Sequence, residues 1–205
     1  MLFYIPMSTE YRRDIRLSLR SYVGTGTYFV TACTSQRRPV FTSAELCSVV
    51  VDFLRSVAAH TAFAVHAYCL MPDHVHVLAE GAEPDSRLQK FISRWKQITA
   101  YKLRDGDGIG LWQKGFFDCI LRKSSDVDAV ARYVWMNPVR TRIVRRPEEY
   151  PYSGSFTVPW PVSTRSSKVA WVPPWKSKSE SSRTEVRDQV AVDDSSIRGR
   201  VVDKV

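Results

Sequence analysis

The chain predicts an α+β domain: an antiparallel sheet with helices packed on it, in the ferredoxin-like split β-α-β order. Three observations predict it. Stretches of two-residue and 3.6-residue hydrophobic period alternate as strand, helix, strand, strand, helix, strand, helix. Only Met71-Pro72-Asp73 separates the two middle strands, which makes them an antiparallel hairpin or its close relative. The strands alternate moderately instead of running fully apolar, as expected of a sheet with one face covered and the other partly available.

Residues 1–20 are mixed and basic and read as a short arm. Thr25 to Thr34, rich in Thr, Tyr, Phe and Val, is the first strand, and Gln36-Arg37-Arg38-Pro39 breaks it. Ser43 opens a helix to about Ala59, with Leu46, Val49, Val50, Phe53, Leu54 and Val57 on one stripe. Phe63 to Leu70 and His74 to Ala79 are the second and third strands. Pro84-Asp85-Ser86 suits a helix start, with Asp85 or Ser86 as cap. That helix carries Leu88, Phe91, Ile92, Trp95 and Ile98 on one face, and Asp105-Gly106-Asp107-Gly108 ends it. Leu111 to Leu121 is a fourth strand, interrupted at Gly115. Ser124-Ser125-Asp126 caps a third helix running to about Asn137, where Pro138 opposes extension. The tail has nine serines within 161–205, with prolines flanking Trp160, Trp171 and Trp175. It reads as extended or disordered, with tryptophans able to dock on the domain or on bases. The expected organisation is an arm over 1–20, one domain over 21–158 and a tail over 159–205.

At 205 residues and 44% hydrophobic content the chain can bury a real core. Its net charge of +9 is spread over both the domain and the tail, and suggests a polyanionic partner, most simply nucleic acid. Cys33, Cys47, Cys69 and Cys119 form no C-x-x-C pair or disulfide framework, and read as reduced thiols of a cytosolic protein. No apolar run reaches the roughly 18 residues of a membrane span, and no signal segment is evident.

The chemistry-bearing run is Met71-Pro72-Asp73-His74-Val75-His76-Val77-Leu78. With a strand period of 2, His74 and His76 leave one face while Val75 and Val77 enter the other. Two imidazoles side by side on a rigid strand are half of a divalent-metal site. The plainer alternative is two partly exposed histidines without a metal. Two of the chain's four histidines sit here, at a strand start just after a bend.

The second informative run is Tyr133-Val134-Trp135-Met136-Asn137-Pro138. Tyr133 and Asn137 are four apart, which puts their Cβ atoms roughly 5–6 Å from each other on one helical face. Asn137 offers a hard carbonyl oxygen suited to Mg²⁺ or Mn²⁺ beside two imidazoles, and Tyr133 a phenolic oxygen able to act as a covalent nucleophile. By spacing alone the plainer reading stands beside this one: Tyr133 as amphipathic core, Asn137 as a cap ahead of Pro138.

Together, MPDHVHVL, WQKGFFDCILR and ARYVWMNPVRTRIV make the sequence resemble the single-tyrosine HUH transposases. Within that group it is most similar to the REP-associated tyrosine transposases, relatives of small bacterial insertion-sequence transposases. The resemblance covers about residues 10–156, with the three motifs in the family's order. It implies the HUH endonuclease fold and DNA strand cleavage and joining. By position, His74 and His76 match the HUH histidines, Tyr133 the nucleophile, and Asn137 the polar residue that completes the metal site. The chain departs from the pattern at Cys119, where relatives commonly have His, and at Tyr152-Ser153-Gly154-Ser155-Phe156, a degraded W-S-S-Y-like segment.

The implied chemistry is attack of Tyr133 on a phosphate, giving a 5′-phosphotyrosine link and a free 3′-OH, with Mg²⁺ or Mn²⁺ as cofactor. The implied partner is single-stranded or hairpin DNA of the REP type, bound by a monomer or homodimer that is cytoplasmic and nucleoid-associated. Candidate DNA contacts are Arg87, Lys90, Arg94, Lys96 and Lys102 on the second helix, and Arg140, Arg142, Arg145 and Arg146 after the third. Trp95, Tyr101 and Trp112 could stack on unpaired bases, although Trp95 lies on the apolar stripe. Asp118 is a weak candidate for a proton acceptor. Two other readings are a hairpin-binding protein of the same fold without chemistry, and an unrelated metal-dependent hydrolase built on His74 and His76.

Overall fold

The computed structural model describes residues 22–104, 110–121, 127–158 and Trp171. The arm over 1–20, the rest of the tail and the Ser124–Asp126 cap lie outside the described residues. Among the described residues, five strands and four α-helices follow in chain order. They are β1 (Thr27–Cys33), α1 (Ala44–His60), β2 (Phe63–Met71), β3 (His74–Gly81), α2 (Leu88–Lys102), β4 (Phe117–Ile120), α3 (Val127–Trp135), α4 (Asn137–Arg140) and β5 (Ser153–Gly154). The sheet order is β4-β1-β3-β2-β5, and every pairing is antiparallel. The first four strands therefore have the split β-α-β arrangement expected from the periodicities.

Local chemistry accounts for the boundaries. The Ser43 hydroxyl accepts from the Leu46 N–H and caps α1. β2 and β3 meet through the two-residue turn Pro72-Asp73, with Met71 opposite His74. The α2 cap differs from expectation. Arg87 occupies the position without a side-chain cap, because the Ser86 hydroxyl donates to Ala62 O and accepts from Glu83 N instead. β4 is shorter than the apolar run promised. Gly115 takes φ 77°, a left-handed turn that favours glycine, and the Lys96 ammonium donates to the carbonyls of Gln113 and Gly115. Residues 112–116 are thereby held as a loop.

Both faces of the sheet are covered at its centre. Tyr28, Val30, Ala32, Val75, Val77 and Ala79 enter the main core with the apolar stripes of α1 and α2. Phe63 and Phe91 stack there with centroids 4.8 Å apart, and the Trp95 indole donates to Val50 O. The other face, carrying Phe29, Thr31, His74 and His76, is covered in part by α3, which packs against β2 and β3. That leaves the second face partly available, as the strand pattern led one to expect.

β5 is short but anchors this second layer. The Trp135 indole N–H donates to Gly154 O at 3.0 Å, and the Tyr150 hydroxyl donates to Leu70 O at 2.6 Å. The segment after α3 thus ties the helix to the β2 edge.

Candidate active site

The site is built on the face of β3 that carries His74 and His76. The antiparallel register puts Thr31 opposite His76 on β1, and Cys69 opposite it on β2. Paired residues point to the same face, so the imidazoles sit within a row of short side chains. Phe29, two residues before Thr31, is fully buried and stacks on the His76 ring at 5.3 Å.

Each imidazole is oriented through Nδ1. His74 Nδ1 lies 2.6 Å from Asp73 Oδ1, and His76 Nδ1 lies 2.8 Å from Thr31 Oγ1. The two Nε2 atoms consequently face one another, 3.2 Å apart. Nitrogens at that separation can both reach one ion at metal–nitrogen distances of about 2.1 Å. Burial raises the Asp73 carboxyl, but the His74 hydrogen bond, with the charges of His74 and Arg37, outweighs it and holds the group below the ordinary carboxylate range. Burial pushes the Cys69 thiol up to about 12, which keeps this neighbour of His76 protonated.

Tyr133 approaches from α3 on the same face. Its ring centroid lies 6.3 Å from that of His76 and 5.8 Å from that of Phe29, edge-on to both. Trp171 adds a third edge contact, 5.0 Å from Tyr133 and 5.1 Å from Phe29, and Tyr133 is 8% exposed. The Arg140 guanidinium lies 3.9 Å over the Tyr133 ring and donates to Tyr133 O at 2.8 Å.

Asn137 has the capping role that spacing allowed. Pro138 has no N–H to donate to Val134 O, four residues back. The Asn137 Nδ2 supplies the missing donor, bonding Val134 O and Tyr133 O at 3.1 Å each. The helix stops at Trp135, passes Met136 in a turn and resumes as α4. With Nδ2 committed to the helix, the other amide atom, Oδ1, is an acceptor of the kind hard cations take. Among the described residues no three His, Cys, Asp or Glu side chains form a metal cluster.

The basic candidates divide between the two layers. Arg87, Lys90, Arg94 and Lys102 are exposed on α2, which packs on the sheet face opposite His74 and His76. Lys96 is engaged with the loop carbonyls, and burial pushes its ammonium down to about 8. Arg140 belongs to the Tyr133 side. Arg142 and Arg145 line a shallow groove with Val139, Ile143, Val144 and Glu149, and Arg146 pairs with Glu149 at 2.9 Å. Trp95 is fully buried, while Tyr101 is exposed. Asp118 pairs with Val30 in register and so lies on the face away from Tyr133. Cys119 pairs with Phe29 and lies on the near one.

Thr31 was not legible as a site residue, since it sits 45 residues before His76 and only the strand register joins them. The Trp171 contact was foreshadowed only by tryptophans among prolines in the tail. No described helix is long and apolar enough to cross a membrane.

Comparison with known proteins agrees with the motifs. The family model described as "Transposase IS200 like" matches residues 22–137. The REP-associated tyrosine transposase of Escherichia coli strain K12 is 26% identical over 149 residues, covering 71% of this chain and 81% of that protein. A putative REP-associated tyrosine transposase of Haemophilus influenzae is 26% identical over 162 residues, covering 71% and 84%. The solved structure of a REP-associated tyrosine transposase bound to a REP hairpin superposes with a TM-score of 0.57 at 21% identity, over 68% of this chain and 81% of that one, and shares the fold. A match spanning more than half the chain and containing His74, His76, Tyr133 and Asn137 makes this protein a member of the IS200-like transposase family.

Proposed function

We propose that this transposase-family protein cleaves and rejoins single-stranded DNA beside a REP-like hairpin, with Tyr133 as the nucleophile. The observation that carries the reading is the convergence of the Tyr133 ring and the paired imidazoles on one face of the sheet. His74, His76 and the Asn137 carbonyl oxygen would hold a divalent ion, Mg²⁺ or Mn²⁺. Bound there, such an ion supplies charge neutralisation at the scissile phosphate.

The protein's own groups do the rest. The Tyr133 oxygen bonds to phosphorus as the bond from phosphorus to the 3′ oxygen breaks. The phenolic proton leaves to solvent, and the departing oxygen takes one up as the 3′-OH. The product is a 5′-phosphotyrosine link that conserves the phosphodiester's energy, so a second 3′-OH reverses the step without ATP. Phe29 and Arg140 hold the Tyr133 ring by its edge and its face. The Arg142 and Arg145 groove, which follows α4 beyond the nucleophile, serves as a phosphate contact. The α2 stripe, on the far layer, would engage DNA only where it wraps beyond the site.

The test is incubation of the full chain with a labelled REP-like hairpin carrying a single-stranded flank, plus Mn²⁺. A denaturation-resistant protein–DNA adduct is expected, absent in Tyr133→Phe. An adduct that survives this substitution overturns the assignment of Tyr133. Tight hairpin binding with no adduct under either metal would establish a binding protein of the same fold.

A further inference from the structure

We propose that Thr31 and Asp73 are positioning residues, Asp73 fixing the proton of His74 on Nδ1 and Thr31 letting that of His76 move there, so that both Nε2 lone pairs meet one divalent ion. The inference rests on the metal reading above. A neutral imidazole carries its proton on one nitrogen only. Two Nε2 atoms 3.2 Å apart are at hydrogen-bond distance, and the easy arrangement has one N–H donating to the other. That arrangement puts a proton where an ion needs electrons. Something must move it to Nδ1.

β1 and the turn between β2 and β3 supply what is needed, by different means. Asp73 Oδ1 is 2.6 Å from His74 Nδ1, and a carboxylate only accepts. The proton of His74 is therefore on Nδ1 and its lone pair on Nε2. Arg37 Nη1 forms an ion pair with the other carboxylate oxygen, Asp73 Oδ2, at 3.4 Å, which favours the charged, accepting carboxylate. Thr31 works differently. Its hydroxyl, 2.8 Å from His76 Nδ1 in a buried position, either donates or accepts by rotating. Without an ion it donates to Nδ1 while His76 Nε2–H donates to His74. With an ion it accepts from Nδ1–H, and the His76 lone pair lies on Nε2. One imidazole is thus set permanently and the other adapts. Serine at position 31 keeps this ability; valine, of nearly the same shape, has no oxygen to accept with.

The experiment is calorimetric titration of Mn²⁺ into the DNA-free full chain, comparing wild type with Thr31→Ser, Thr31→Val, Asp73→Ala and the His74→Ala/His76→Ala pair. Loss of an outer partner of a metal-bound histidine weakens affinity by about 10–100-fold. Thr31→Val and Asp73→Ala should show that loss, and Thr31→Ser should stay near wild type. Thr31→Val binding Mn²⁺ as tightly as wild type overturns the role of Thr31, and Asp73→Ala doing so overturns that of Asp73. If wild type binds no Mn²⁺, or the double histidine variant binds it unchanged, the metal reading fails and this inference with it. A second measurement needs no substitution: nitrogen-15 NMR of the metal-free protein should find the His74 proton on Nδ1. A proton on its Nε2 refutes the assignment even if a variant fails to fold.

Discussion

Replacing Phe29 by alanine should damage fold and chemistry together, in proportions the structure sets. Phe29 is fully buried on the strand between β3 and β4, stacked on His76 and meeting Tyr133 and Trp171 edge-on. Truncating such a phenylalanine costs about 3–5 kcal/mol, and each lost ring pair adds about 0.5–1.5 kcal/mol beyond area burial where it is not already counted. A loss near 4 kcal/mol, at about 2–4 °C per kcal/mol for a chain of this size, lowers the melting midpoint by roughly 10 °C. Against a total stability of about 5–15 kcal/mol the variant still folds at 25 °C. Adduct formation on a hairpin substrate, measured well below the melting point, should nevertheless fall, because Phe29 is the common support of the imidazole and the phenol. Phe29→Leu refills most of the volume, should cost about 1 kcal/mol, and should recover part of the rate. An alanine variant melting within about 3 °C of wild type, or forming adduct at the wild-type rate, would show that the ring supports neither group.

Four further outcomes are expected. Arg140→Gln should slow adduct formation with less than about 3-fold loss of hairpin affinity, since the guanidinium lies over the Tyr133 ring; binding and single-turnover rates measured side by side separate the two. Asn137→Ala should destabilise by about 1–2 kcal/mol in denaturant titration, because it removes the amide donor from Val134 O and leaves Tyr133 O to Arg140 alone. Arg142→Ala with Arg145→Ala should weaken hairpin binding and reduce the salt slope by about 1 per lost phosphate contact, and an unchanged slope excludes both. Burial raises the Asp118 carboxyl above its ordinary 3.8, against an opposing hydrogen bond from Tyr22. The folded state therefore holds this proton to higher pH than the unfolded chain, and stability falls as pH rises from 3.8 through the folded value. Asp118→Asn should accordingly melt higher than wild type at pH 7 but not at pH 3, and a difference independent of pH would refute the account.

The order of elements was legible because each long segment carries one unbroken period: the α1 stripe from Leu46 to Val57, and the alternation of His74 to Val77. β5 was not, since two residues show no period and its partners on β2 lie some 85 positions earlier. β4 was overestimated because Leu111 and Trp112 are apolar for reasons of core packing, not strand pairing. His74, His76, Tyr133 and Asn137 could be found by motif and spacing. Thr31 could not, because a register between strands is a tertiary fact. The dual use of Asn137 was visible only as two rival readings, and the structure shows that the capping one holds whatever the carbonyl oxygen binds.

The interruption at Met136 has a consequence for how the segment tolerates change. On an unbroken helix, residues 133 and 140 would stand about 10 Å apart along the axis. Here the backbone halts, hands its orphaned carbonyls to an amide, and restarts, and the guanidinium doubles back onto the ring. Spacing from residue 133 to 140 is therefore as constrained as the identities of its ends. Lengthening or shortening it by one residue would swing the arginine off the aromatic face while leaving every individual side chain present.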